Sequence, residues 1–189
     1  MAPSGPPAPY VSRSGAKLDA ALAAFGIDVS GLICADFGSH VGGFVDCLLR
    51  RGAARVYALE PGRGVLHERL RRDDRVVACE GANALRTPPR EPCDLVTIDV
   101  GWTVQRLILP AARRWLRAGG QVVTLVKPQY EAPKTWLKRG LLDDARLPAA
   151  LDACRADVAD VGWTRRGEIE SPVRGHGGAR EFLWWLTKQ

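Results

Sequence analysis

Short, almost continuous apolar runs recur along the chain, and most are followed by a stretch with helical spacing. The runs are LICADF (32–37), RVYALE (55–60), RVVACE (75–80), DLVTIDV (94–100) and GQVVTLVKP (120–128). A strand that is apolar along its whole length is buried on both faces, which is the condition of strands in a parallel sheet crossed by helices. The pattern predicts an α/β fold with a mostly parallel sheet and helices on both of its faces. Helices are expected at about 13–25, where Leu18, Ala21, Leu22 and Phe25 recur before Gly26, and from a glycine loop to Arg51. Two more are expected from Val104 to Leu116, closing at Ala118-Gly119-Gly120, and from Ala145 to Ala159 with Pro148 in the first turn. GWTRRGEIESPV (162–173) and REFLWWLT (180–187) have no helix between them, so they predict a closing hairpin and an antiparallel edge.

Residues 1–9 are Pro-rich and read as a flexible tail, and 129–147 lacks a clear element, which makes it a candidate lid. A chain of 189 residues without an internal repeat is expected to form one domain, over 10–189. With 46% hydrophobic residues, disorder of the whole chain is excluded. No apolar run approaches the ~20 residues of a membrane span, and MAPSGPPAP has neither the basic start nor the apolar stretch of a secretory signal. Five cysteines (34, 47, 79, 93 and 154) form no CxxC pair and sit in apolar surroundings. They read as small buried hydrophobes in a reduced compartment, the cytoplasm, with neither a disulfide frame nor a metal site expected. Trp102 and Trp184-Trp185 are expected to serve core and sheet packing.

The net charge is +6, and of 27 basic residues 22 are Arg and 5 are Lys. Arginine's planar fork suits phosphate, so an RNA partner fits this balance; a solvated surface rich in arginine fits it equally well. No pattern bears on oligomeric state.

DFGSHVGGF (36–44) joins the first strand to a helix through a glycine turn. Such a turn lies at the carboxyl end of the strand, where open α/β sheets bind ligands, and its glycines let backbone N–H groups approach a cofactor. The spacing is not GxGxxG, which disfavours a dinucleotide. Glu60, closing the next strand, is placed to hold ribose hydroxyls, and Asp36 to hold an amino group; together they describe a site for S-adenosylmethionine. Asp36, Gly38, Ser39, Gly42, Gly43, Phe44 and Glu60 are the expected cofactor residues, with Glu80 and Asn83 as further candidates on the adenine side. As plain structure, Asp36 would cap a helix, the glycine pair would serve tight packing, and Glu60 would be a solvated charge. His40 reads as a loop residue.

Asp99 and Lys127 close two further apolar strands and are expected at the same edge of the sheet. A lysine there needs a carboxylate beside it. An ion pair that serves only structure and a pair that serves chemistry are both consistent with that. Lys17, on the first helix, and Glu181, before FLWWL, cannot be placed in the cleft by pattern.

Five stretches taken together resemble one family: YVSRSGAKLDAAL (10–22), DFGSHVGGFVDCLLRRGAARVYALEPGRG (36–64), DLVTIDV (94–100), LVKPQYE (125–131) and SPVRGHGGAREFL (171–183). Over Tyr10 to Leu186 the chain is similar to the FtsJ-like methyltransferases, most closely the hemolysin A (TlyA-like) type. The resemblance implies a Rossmann-like class I methyltransferase fold with a seven-stranded sheet, S-adenosylmethionine as cofactor, and methyl transfer to a ribose 2′-hydroxyl of ribosomal RNA. It also implies a catalytic Lys-Asp-Lys-Glu tetrad, which falls on Lys17, Asp99, Lys127 and Glu181. In that tetrad Lys127 would take or orient the hydroxyl proton, Asp99 would hold Lys127 and also border the cofactor, and Lys17 with Glu181 would steer the ribose. The family's N-terminal S4-type RNA-binding module has no counterpart before Tyr10. Glu60 stands where Asp is usual, GSHV replaces a loop of small residues and Thr, and DVGW replaces DVSF. The competing expectations are a methyltransferase fold that binds cofactor or RNA without turnover, a different RNA or small-molecule acceptor, and the membrane activity implied by the hemolysin name, which no amphipathic or apolar segment supports.

Overall fold

The computed structural model describes residues 10–189, so the expected flexible tail at 1–9 lies outside it. In chain order the elements begin α1 (Ser14–Phe25), β1 (Ile33–Phe37), α2 (Gly43–Arg50), β2 (Arg55–Glu60), α3 (Glu68–Arg71) and β3 (Val76–Glu80). They continue with β4 (Cys93–Ile98), α4 (Gln105–Trp115), β5 (Leu116–Val126), α5 (Pro128–Glu131), β6 (Leu137–Lys138) and β7 (Leu141–Leu142). The last three are α6 (Leu147–Asp160), β8 (Trp163–Glu170) and β9 (Phe182–Lys188).

Seven strands form one sheet in the order β3-β2-β1-β4-β5-β9-β8. The first five run parallel, and β9 lies antiparallel between β5 and β8. The apolar runs of the sequence are therefore the parallel strands, and the expected hairpin is the antiparallel edge. The alternation of side chains explains why both faces are covered. Along β9, Phe182, Trp184 and Leu186 enter one core with Trp115 of α4 and Cys154 of α6, while Leu183 enters the other with Leu18 and Leu22 of α1 and Leu48 of α2. Each face thus packs on its own helices. Trp184 is fully buried and Trp185 stacks on Phe25 with ring centroids 6.1 Å apart, as their expected packing role requires. All five cysteines are buried free thiols. Among the described residues no helix is long and apolar enough to cross a membrane.

The structure departs from the expected elements in four places. α4 ends at Trp115 and passes directly into β5, which starts at Leu116 and not at Gly120. The reason is a bulge: Leu116 pairs with Cys93 and the next pair is Gln121 with Leu95, so the exposed residues between them are looped out, with Gly119 at φ 75°. α3 was not expected, because a single turn is too short to carry a period. Within 129–147 the chain forms α5, the β6–β7 pair and two 3-10 turns, and none of these residues lines the cavity described below. Trp102 does not join the core. It is 85% exposed, in a left-handed backbone conformation (φ 59°), and stacks on Tyr130 with centroids 4.7 Å apart.

Candidate active site

The chain order reverses between β1 and β4, and a crevice opens at the carboxyl ends of strands on either side of such a switch. A cavity of about 640 Å³ lies there, reached by the ends of β1, β2, β4 and β5 and by the start of α1. That is within the size range of small-molecule sites, roughly 300–1,000 Å³.

β1 ends in Asp36 and the glycine turn. Gly38 has φ 80°, and a Cβ on it would lie 2.5 Å from the Asp99 carbonyl oxygen, so only glycine lets the β1 and β4 ends close on each other. Asp36 is buried, its Oδ1 accepting from the Thr97 hydroxyl at 2.7 Å. Its Oδ2 and the Ser39 hydroxyl are buried without partners, and both residues border the cavity. Burial pushes the Asp36 carboxyl up to about 7; the Thr97 bond opposes this and the nearby Asp99 and Glu60 charges add to it. Glu60 is pinned by two backbone donors, His40 N–H to Oε2 at 2.9 Å and Gly62 N–H to Oε1 at 2.8 Å. Each oxygen keeps acceptor capacity toward the cavity. His40 borders the cavity as a loop residue and contributes its backbone to this clamp.

Of the expected cofactor residues, Asp36, Gly38, Ser39, Phe44, Glu60, Asn83 and Asp99 line the cavity. Gly42 and Gly43 do not. A Cβ on Gly42 would meet Leu70 at 2.3 Å and one on Gly43 would meet the Ser14 hydroxyl oxygen at 2.0 Å, so the pair serves the close packing of α2 on its neighbours. Glu80 also stays off the lining and pairs with Arg71 at 3.0 Å.

The two lysines and their carboxylates come together as two pairs. Lys127 Nζ donates to Asp99 Oδ1 at 2.6 Å and to the Val100 carbonyl at 3.1 Å. Lys17 Nζ donates to Glu181 Oε2 at 2.5 Å, a pair buried on both sides and formed across 164 residues. Lys17, Asp99 and Lys127 line the cavity, and Glu181 reaches it through Lys17. Ser12, Arg13 and Ser14, at the start of α1, also border the cavity. Pattern reading missed them because they precede the helical period; their only signal is a short polar segment before Lys17.

A parallel sheet of this order, with a reversed strand inserted near one edge and a cavity at the switch point, is that of the Rossmann-like class I methyltransferases. The donor set fits S-adenosylmethionine: a buried carboxylate with one oxygen unpartnered for an ammonium group, and a clamped carboxylate one strand away for ribose hydroxyls. The family model described as FtsJ-like methyltransferase matches residues 10–188, and the chain belongs to that family. Among curated relatives, the 16S/23S rRNA (cytidine-2′-O)-methyltransferase TlyA of Mycobacterium tuberculosis is 38% identical over 185 residues, 95% of this chain and 69% of that protein. Hemolysin A of Brachyspira hyodysenteriae is 37% identical over 92% of this chain and 75% of its own length. A solved structure from Streptococcus thermophilus, of a protein named as a candidate hemolysin, superposes with TM-score 0.93 at 38% identity, covering 98% of this chain and 69% of that one.

Proposed function

We propose that residues 10–189 act as one catalytic domain that transfers a methyl group from S-adenosylmethionine to a ribose 2′-hydroxyl of ribosomal RNA in the cytoplasm. The observation that carries the acceptor chemistry is the anchoring of Lys127. An ammonium has three donors; two are used on Asp99 and the Val100 carbonyl, and the third is free for an oxygen in the cavity. The name of the M. tuberculosis relative supports the choice of a ribose oxygen of ribosomal RNA.

S-adenosylmethionine, when bound, supplies an electrophilic methyl group on a sulfonium whose leaving group departs neutral. The residues of the chain have the harder task, which is to ready a weakly acidic hydroxyl. Lys127 orients that hydroxyl through its free donor position and, in its neutral form, takes the proton as the oxygen attacks. Asp99 holds Lys127 in place. The buried Lys17–Glu181 pair sets the other side of the acceptor ribose without adding net charge. Asp36 and Ser39 hold the amino-acid end of the cofactor and Glu60 its ribose. Gly38, Phe44 and Asn83 shape the wall, and Gly42 with Gly43 seats α2 behind it. Trp102 presents an open aromatic face on Tyr130, whose ring centroid is 5.8 Å from Lys127 Nζ, to the base of the acceptor nucleotide.

The test is transfer of labelled methyl from S-adenosylmethionine to ribosomal RNA, followed by mapping of the modified nucleotide. Lys127→Ala is expected to lower turnover by at least ~100-fold with cofactor affinity intact, the range of positioned proton transfer. Turnover near that of the wild type would remove Lys127 from the mechanism, and a methylated base in place of a ribose would overturn the acceptor assignment.

A further inference from the structure

α4 begins at Gln105 behind Val104, a residue whose side chain has no acceptor for the first free N–H groups of the helix. The acceptor comes from another element. Gln105 N–H donates to Glu131 Oε1 at 3.0 Å, and Glu131 is the last residue of α5, four positions after Lys127. The Gln105 side chain is fixed as well, its Oε1 accepting from the Thr124 hydroxyl at 2.9 Å, with both residues buried. Holding a carboxylate here is costly. Burial pushes Glu131 up to about 7, a push that the Gln105 bond and Arg106 oppose and Asp157 reinforces.

The loop fixed in this way is the one on which Lys127 depends. It leaves β4 at Asp99, whose N–H donates to the Phe37 carbonyl of β1 at 2.9 Å, and it ends at Gln105. Both acceptors of Lys127, the Asp99 carboxylate and the Val100 carbonyl, lie on it. Four contacts therefore tie this loop to the 127–131 turn: Asp99 and Val100 with Lys127, Trp102 with Tyr130, and Gln105 with Glu131. The last of these is the one made by neither a tetrad residue nor the aromatic pair.

We propose that Glu131 is a positioning residue for Lys127, acting through Gln105 to hold the loop that carries the lysine's two acceptors. The inference rests on the reading of Lys127 as the group that faces the acceptor hydroxyl. The charge of Glu131 matters less than its acceptor atom, since what it fixes is one N–H at a helix start.

The experiment compares Glu131→Ala and Glu131→Gln in the full chain with S-adenosylmethionine bound. With lysines labelled at the ε-carbon, five residues give a simple spectrum, in which Lys127→Arg and Lys17→Arg assign two signals. Glu131→Ala is expected to move the Lys127 signal and leave that of Lys17 in place, and to lower kcat on ribosomal RNA about tenfold or more with the KM for cofactor unchanged, as small misplacements do. Glu131→Gln, which keeps an acceptor oxygen, is expected to restore both readouts most of the way. An unmoved Lys127 signal with kcat unchanged, even alongside a lower melting temperature, would overturn the proposal and leave Glu131 as a helix cap. If Glu131→Ala does not fold, Glu131→Gln decides: loss of kcat and a shifted signal in that variant would also overturn it, because the acceptor is still present. A wild type that transfers no methyl to RNA would overturn the functional reading, while the Lys127 signal would still report on the positioning.

Discussion

Asp36 sits at the end of β1 with one carboxylate oxygen bonded to Thr97 and the other facing the cavity without a partner. Its carboxyl is pushed up to about 7 chiefly by burial, so without cofactor it holds a proton well above the ordinary carboxylate range. An ammonium group brought beside it favours the charged form. Binding S-adenosylmethionine should therefore release a proton, and affinity should rise from about pH 5 to about pH 7 and then level off. Calorimetry in buffers of different ionisation enthalpy checks this, and Asp36→Asn should bind more weakly without the pH dependence. The same sign governs stability: a carboxyl raised on folding contributes stability below its folded value, which is lost as pH rises from about 4 to about 7. The cofactor-free protein should melt at a lower temperature at neutral pH than in mild acid as far as this group is concerned. Glu60 and Asp99 were legible in the sequence, since both stand at the carboxyl ends of apolar strands. Trp102 was not, because the direction in which a loop presents an aromatic side chain leaves no mark on hydropathy.

Helices α1 and α2 meet closely at Gly43, the first residue of α2. A Cβ on Gly43 would stand 2.0 Å and 2.2 Å from the hydroxyl oxygens of Ser14 and Ser12, and 2.9 Å from the backbone nitrogen of Gly15. The hydroxyls can rotate away; the backbone cannot. Gly43→Ala is expected to cost about 1–3 kcal/mol in denaturant unfolding, the range for overpacking, and to weaken turnover because α1 carries Lys17. A stability within experimental error of the wild type would show that α1 yields freely there. The element boundaries that the sequence missed have local causes. β5 starts early because four of its residues stand opposite the single Asp94 of β4, three more than in-register pairing takes, and a bulge leaves no mark on hydrophobic periodicity. α3 is one turn long. The longer helices agreed with expectation to within one or two residues at most ends, because Gly26 in a left-handed conformation and Pro148 near the start of α6 are end signals with mechanical reasons behind them.

Across the whole molecule, the net charge of +6 is carried by an arginine surface much of which is already paired, as in Arg50 with Asp46, Arg155 with Glu168 and Arg180 with Glu170. Paired arginines compete less for phosphate than the total suggests. Binding to ribosomal RNA should weaken linearly in a log–log plot against salt, with a slope set by the few phosphates contacted, and Arg13 at the cavity mouth is one residue whose loss should shallow that slope by about one unit. An unchanged slope in Arg13→Ala would remove it from the RNA path.

By itself the sequence determined the parallel sheet, the helices on its two faces, the closing antiparallel hairpin, and the positions of Asp36, Glu60, Asp99 and Lys127 at strand ends. These are consequences of periodicity and of local turn chemistry, which act over a few residues. Only the tertiary structure decided that Lys17 meets Glu181, that Gly42 and Gly43 serve helix packing and stay off the cavity wall, and that Glu131 caps a helix begun 26 residues earlier. Those contacts form where β9 slots between β5 and β8 and where loops from separate strands converge. Partners joined across the sheet leave no spacing in the chain from which to read them.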